Sequence, residues 1–282
     1  MAETLATPLY QRVHPRQLIK WTVYGLLLFN YILYIGDDWA NAQAKLRTGG
    51  DWLDWASAFG TTLDLTAWFG LLFLWELETY ALSEEAYTRI TRATFVCVRL
   101  ACYVFIAHTV VSRAVSVNEL RFVQPEPGIT SLCALAGSGV SYAKNVEYTL
   151  IDAENCTALA SGNQFWYVEN SAITDAAGLK IERLSRWIDL QDAIAWLLVM
   201  LTIEIAIWLQ SREITGGALM FASRAGKALY ALLYAHAAYW AWNGHWLYAW
   251  DQFLWIAGFF AIELNVKDWR EWIETEGSDH AA

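Results

Sequence analysis

The chain has 282 residues, of which 56% are hydrophobic and only 17% charged, with 17 Trp, 14 Tyr and 12 Phe. A soluble domain carries about a quarter charged residues, and the deficit here is concentrated in apolar runs long enough to cross a bilayer, which takes about 20 residues. A net charge of −10 excludes a nucleic-acid binder, which needs a basic face.

Met1 to Gln17 is polar, with Arg12, His14 and Arg16, and shows no short apolar core followed by an Ala-x-Ala site. The first apolar run is therefore expected to be a retained membrane helix, not a cleaved signal. That run is Leu18 to Gly36, ended by Asp37-Asp38 and the Gly49-Gly50 pair. A second run covers Leu53 to Tyr80, followed by a polar turn with Ser83, two Glu, Arg89 and Arg92, and a third covers Ala93 to Val111, broken only by Arg99. Residues 112–186 differ in kind, with Pro125, Pro127, several Gly and strand-like pieces at Glu147-Tyr-Thr-Leu-Ile and Gln164-Phe-Trp-Tyr-Val. They read as a small extramembrane domain of strands and loops. Further apolar runs follow at Trp187 to Gln210, Ala228 to Trp242 and Trp246 to Val266, and residues 267–282 form an acidic tail.

Only helices or closed barrels satisfy every backbone group in lipid, and these long runs do not alternate as barrel strands do. The expected fold is an all-α polytopic membrane protein of six transmembrane helices. Helices 1–3 lie in residues 1–111, the inserted β/loop domain in 112–186, and helices 4–6 in 187–266. Basic residues near the span ends (Arg12, Arg16, Lys20, Arg89, Arg92, Arg212, Arg224, Lys227, Lys267, Arg270) outnumber those of the short opposite loops, Lys45 and Arg47. The positive-inside rule then puts both termini in the cytoplasm of a bacterium, with the protein in its inner membrane. Cys133 and Cys156 both fall in the segment so assigned to the outside, where two Cys in a small loop-rich domain read as a disulfide. Cys97 and Cys102 read as small packing residues.

A spacing recurs three times. Asp64, Trp68 and Glu76 stand at offsets 0, +4 and +12, as do Asp192, Trp196 and Glu204, and Asp251, Trp255 and Glu263, with an aromatic five residues before each Asp (Phe59, Trp187, Trp246). Each copy lies on an even-numbered span and each preceding span starts with basic residues, so the expected architecture is three tandem two-helix repeats. At 100° and 1.5 Å per residue, Asp and Trp share a face, whereas the Glu lies about 18 Å further along and about 120° round. Asp and Trp read as interfacial anchors, the acids as helix-end caps and the indoles as an aromatic belt. The carboxylates Glu204, Glu76 and Glu263, with Arg99, are the costly groups inside the spans and the candidates for an ion pathway or an intramembrane pair.

His108 and His236 stand at unmatched depths, and neither a haem-attachment nor a metalloprotease motif occurs, so no haem, metal or other cofactor is expected. Without a phosphate-cradling glycine loop or a nucleophile elbow, an enzyme is disfavoured. The first functional expectation is a channel or an ion- or proton-coupled transporter using these carboxylates and Arg99. The alternative is a non-catalytic scaffold or accessory subunit, its partners being the bilayer, a second copy or a larger membrane complex.

Overall fold

A computed structural model of the protein describes residues 15–47, 49–77, 88–160, 162–211 and 217–259. The chain forms two compact units, one of Leu33–Leu232 and one of Met1–Ile32 with Leu233–Ala282. The helices are α1 (Pro15–Lys45), α2 (Trp52–Ala58), α3 (Gly60–Glu76), α4 (Arg89–Phe122), α5 (Ala176–Ser211) and α6 (Gly217–Trp242). A further helix, α7, covers residues 246–259.

In Leu33–Leu232, α4 packs against both α3 and α5. Helix α1 does not stop at Asp37-Asp38: it runs on to Lys45 because the buried Asp38 is put to use. Its Oδ2 accepts from the backbone N–H and the hydroxyl of Thr62, each at 2.8 Å, and so supplies a partner to the first turn of α3. The expected second span, Leu53 to Tyr80, is broken at Phe59 into α2 and α3. Asp51 and Asp54 start α2 by reciprocal side-chain-to-backbone bonds of 3.0 and 3.1 Å, the arrangement of a capping box. Helices α3 and α4 cross closely, since a Cβ at Gly70 would stand 2.9 Å from the Sγ of the buried Cys102.

Helix α4 is capped by Thr88, whose side chain accepts from the Thr91 N–H at 3.2 Å. It continues past the expected end at Val111 to Phe122, just before the segment holding Pro125 and Pro127. A short 3-10 helix (Leu132–Leu135) precedes four strands: β1 (Ser141–Lys144), β2 (Glu147–Leu150), β3 (Phe165–Glu169) and β4 (Ala172–Asp175). They form one sheet in the order β2-β1-β4-β3, made of two antiparallel hairpins joined by a parallel β1–β4 pair. Leu132, Val140, Tyr142, Ile151, Phe165 and Ile173 fill its core together with Cys156. Cys156 is bonded to Cys133, with Cα atoms 4.9 Å apart.

The β1–β2 turn is Asn145-Val146, both with positive φ (59° and 62°). Asn tolerates that region, whereas a β-branched residue does not. The Val146 N–H donates to the Glu182 carboxylate of α5 at 2.9 Å, and Glu182 is 1% exposed. A buried charge-assisted bond thus holds the hairpin tip in a strained conformation. Helix α5 follows β4 directly. Asp175 caps it by accepting from the Gly178 N–H at 2.8 Å, and a Cβ at Gly178 would meet Thr174 Oγ1 and the Ala143 carbonyl. Only glycine lets the first turn of α5 lie this close to the sheet.

In the other unit, Asn30 of α1 donates to Asp251 of α7 at 3.0 Å, both residues being buried. Gly258 of α7 lies against Val23 and Leu27 of α1. Tyr239, Trp240, His245 and Tyr248 gather as an aromatic cluster at the α6–α7 turn.

The expected bundle of six transmembrane helices in three tandem repeats is overturned. Among the described residues two helices, Gln17–Lys45 and α4, are long and apolar enough by length and composition to cross a membrane, and a four-stranded sheet is part of the fold. The motif-bearing helices are also unlike one another: α3 starts only after the break at Phe59, whereas α5 runs unbroken over 36 residues. The recurring Asp and Trp need no repeated fold, because they are a local pair at helical spacing.

Candidate functional site

The three Asp residues lie inside helices, not at their caps. Asp64 is past the first turn of α3, Asp192 lies deep in α5, and Asp251 is within α7. Residues four apart on a helix are neighbours, and Asp64 and Asp251 each hydrogen-bond the indole of their own Trp, Trp68 and Trp255. The indole N–H, a donor only, gives a carboxylate in an apolar setting the partner it needs. Asp64 also bonds Thr109 of α4 and has Arg113 and Asp192 as charged neighbours. Trp68 and Trp196 meet edge-on, ring centroids 5.7 Å apart, so two of the three motif copies come together between α3 and α5.

Glu204 is half-buried on α5 and accepts a hydrogen bond from Tyr103 of α4 at 2.5 Å. Glu76 ends α3, half-buried, and Arg99 is half-buried on α4. Glu263 lies outside the described residues. Cys97 is exposed, and so is His108, whereas His236 is buried. Among the described residues no group of three or more His, Cys, Asp or Glu could hold a metal ion.

The most developed polar constellation is one that sequence reasoning missed. It lies where the last turn of α1, the C-terminal half of α4 and the start of α5 meet the sheet. Glu169 of β3 pairs with Lys45 of α1 at 3.9 Å and with Arg186 of α5. Arg186 also donates to the Ser116 hydroxyl of α4. The Lys45 ammonium stands 5.1 Å from the ring centroid of Tyr148 on β2, within cation–π range. One turn further along α5, Asp189 accepts from Arg113 of α4 at 3.4 Å, which links this cluster to Asp64.

The electrostatics follow from the partners. Burial pushes the Glu169 carboxyl up, but Lys45 and then Arg186 outweigh it and hold it below its ordinary value. Burial works against the Arg186 charge, yet Glu169 more than compensates and the guanidinium is held above its ordinary value. At Glu182 burial dominates over the Val146 N–H and raises the carboxyl. Glu169 is the hinge of the arrangement: an ionised acid shared by two cations from two helices. One signal for the cluster was present in the sequence. Glu182, Arg186 and Asp189 fall at i, i+4 and i+7, one charged face of a helix capped by Asp175. Lys45, Tyr148 and Glu169, which complete it, are brought in only by the fold.

Beside Glu169 and Arg186 opens a cavity of about 550 Å³, lined also by Ser116, Glu119, Phe122 and Tyr167. That is the size of a small-ligand or peptide side-chain pocket. Its mixed wall, with carboxylates, a guanidinium, hydroxyls and an aromatic face, suits recognition by hydrogen bonds and stacking. Comparison with known protein families, with characterised proteins and with solved structures finds no match.

Proposed function

We propose that the chain is a membrane-anchored, non-catalytic accessory or scaffold protein whose disulfide-bonded sheet domain presents a binding surface held at a fixed position on the helices. The supporting observation is the Glu169 cluster. An anchor with a freely swinging domain needs no ion pairs at the junction, whereas here Lys45 of α1 and Arg186 of α5 both pair with Glu169 of the sheet, and Ser116 ties α4 to Arg186. Half-buried ion pairs such as these add little to stability, and the best-attested use of ionic groups withdrawn from water is to fix one arrangement among several. The disulfide favours an oxidising compartment, and we place the sheet domain on the periplasmic side of a bacterial inner membrane, with both termini cytoplasmic.

The test is extraction in a mild detergent followed by mass determination. The 32.0 kDa chain is expected in a larger assembly, which Tyr167→Ala in the cavity wall dissociates. A lone chain in every mild detergent, with Tyr167→Ala behaving identically, would contradict it.

A second reading, ion- or proton-coupled transport, rests on Glu204, which stands in an apolar stretch of α5 with the Tyr103 hydroxyl on it; a carboxylate so placed is a candidate proton site. Proteoliposomes that take up protons in a manner abolished by Glu204→Gln would establish it over the first.

A further inference from the structure

A second, smaller cavity lies between the last turns of α4 and the second and third turns of α5. Its volume is about 120 Å³ and its wall is Val117, Leu120, Arg121, Arg183, Arg186 and Trp187. Three arginines line it and no acidic residue does. A cavity of this size holds several waters' worth of liquid volume, each about 30 Å³, enough for a tetrahedral oxyanion and not for a large ligand.

The arginines are pre-positioned. Arg183 donates from Nε to the Leu120 carbonyl at 3.0 Å and from a terminal nitrogen to the Arg121 carbonyl at 3.4 Å. These are orphan carbonyls at the C-terminal end of α4, so Arg183 cancels the negative end of that helix dipole and keeps its third nitrogen for another acceptor. Arg186 is oriented by Ser116 and Glu169 through its two terminal nitrogens, leaving Nε. Arg121 is exposed, its guanidinium 5.5 Å from the Phe122 ring. Planar guanidinium groups fixed in this way suit phosphate oxygens better than flexible ammonium groups do.

We propose that this cavity binds a phosphate group, either free or on the headgroup of an anionic phospholipid. The lipid source rests on the membrane-anchored reading above; the phosphate chemistry does not. Its position suits a headgroup. Arg121 lies eight residues, about 12 Å, beyond Arg113 along α4, past the end of the apolar run at Val111. Phe122, Leu184 and Trp187 beside it are 62%, 51% and 49% exposed, an apolar and aromatic collar of the kind found at headgroup level.

The full chain in neutral detergent is titrated with inorganic phosphate by calorimetry. In parallel it is placed in nanodiscs of phosphatidylcholine with or without phosphatidylglycerol, and retained lipid is counted by native mass spectrometry. Saturable binding of inorganic phosphate supports the site with a free ligand. Retention of phosphatidylglycerol alone supports it with a lipid headgroup. In whichever arm binds, Arg121→Gln is expected to weaken affinity about tenfold, the effect of one charge-assisted bond, while the exposed Lys144→Gln on β1 leaves it unchanged. Arg121 is exposed, so its variant stays folded even if Arg183→Gln frays α4. Binding in neither arm, or wild-type affinity in Arg121→Gln and Arg183→Gln alike, overturns the proposal. If the chain is washed off membranes at alkaline pH, the anchored reading fails and the phosphate titration still decides this one.

Discussion

Replacing Glu169 by Gln removes the charge shared by Lys45 and Arg186 while keeping the side chain's size. At the 3.9 Å Lys45–Glu169 separation and an effective dielectric near 20, the gross attraction is about 4 kcal/mol. The carboxylate gave up much of its hydration to get there, and its side chain is 26% exposed, so screening trims the remainder. The net loss is about 2 kcal/mol, felt where the sheet meets the helices. Hydrogen exchange of the intact protein reads this directly: amides of β1 to β4 should lose protection by that amount, while amides of α3 stay within about 0.5 kcal/mol of wild type. The effect should depend on pH in one direction. Glu169 has a folded-state pKa below its ordinary 4.5, so in the acid range the unfolded chain binds the proton more readily. Its stabilisation is complete above pH 4.5 and is lost as pH falls through the depressed folded value. The gap between wild type and Glu169→Gln should therefore close on acidification. Unchanged exchange at pH 7, or a gap that widens in acid, would refute the reasoning; Glu119→Gln, an exposed acid on the same cavity, serves as the neutral control.

Three further outcomes follow from the structure. Replacing Cys133 and Cys156 by Ser opens a crosslink spanning 23 residues and should destabilise the sheet domain by about 3 kcal/mol, read as loss of protection in β1 to β4 and not in α3. Val146→Gly relieves a β-branched residue at φ 62° and should stabilise the β1–β2 hairpin by about 1 kcal/mol; a loss of stability would mean the Glu182 contact does not depend on that strain. Glu204→Gln keeps a hydrogen-bond acceptor for Tyr103, and thermal unfolding should shift by about 1 kcal/mol or less.

Local chemistry was legible in the sequence and long-range assembly was not. The strand pieces around Glu147–Leu150 and Phe165–Glu169 and the Cys133–Cys156 pair lie where composition placed them. The Asp-to-Trp spacing carried real information, but about a bond between residues four apart on one helix. Reading it as a repeat of whole hairpins asked a local regularity to specify a global one. Apolar runs gave the helices but not their ends. Helix α1 continues through Asp37-Asp38 because Thr62, far along the chain, takes up the Asp38 carboxylate, and no window over residues 30–45 contains that fact. The Glu169 cluster is the extreme case: its members come from α1, α4, α5 and two strands, and each alone looks like a surface charge or an ordinary strand tyrosine.

The most direct test of the anchored-domain account uses native lysines. In sealed spheroplasts, a membrane-impermeant amine reagent should modify the exposed Lys144 and Lys180 from outside, and should reach the exposed Lys227 of α6 only after lysis. Lys144 and Lys180 protected until lysis, or Lys227 labelled alongside them in sealed cells, would contradict it.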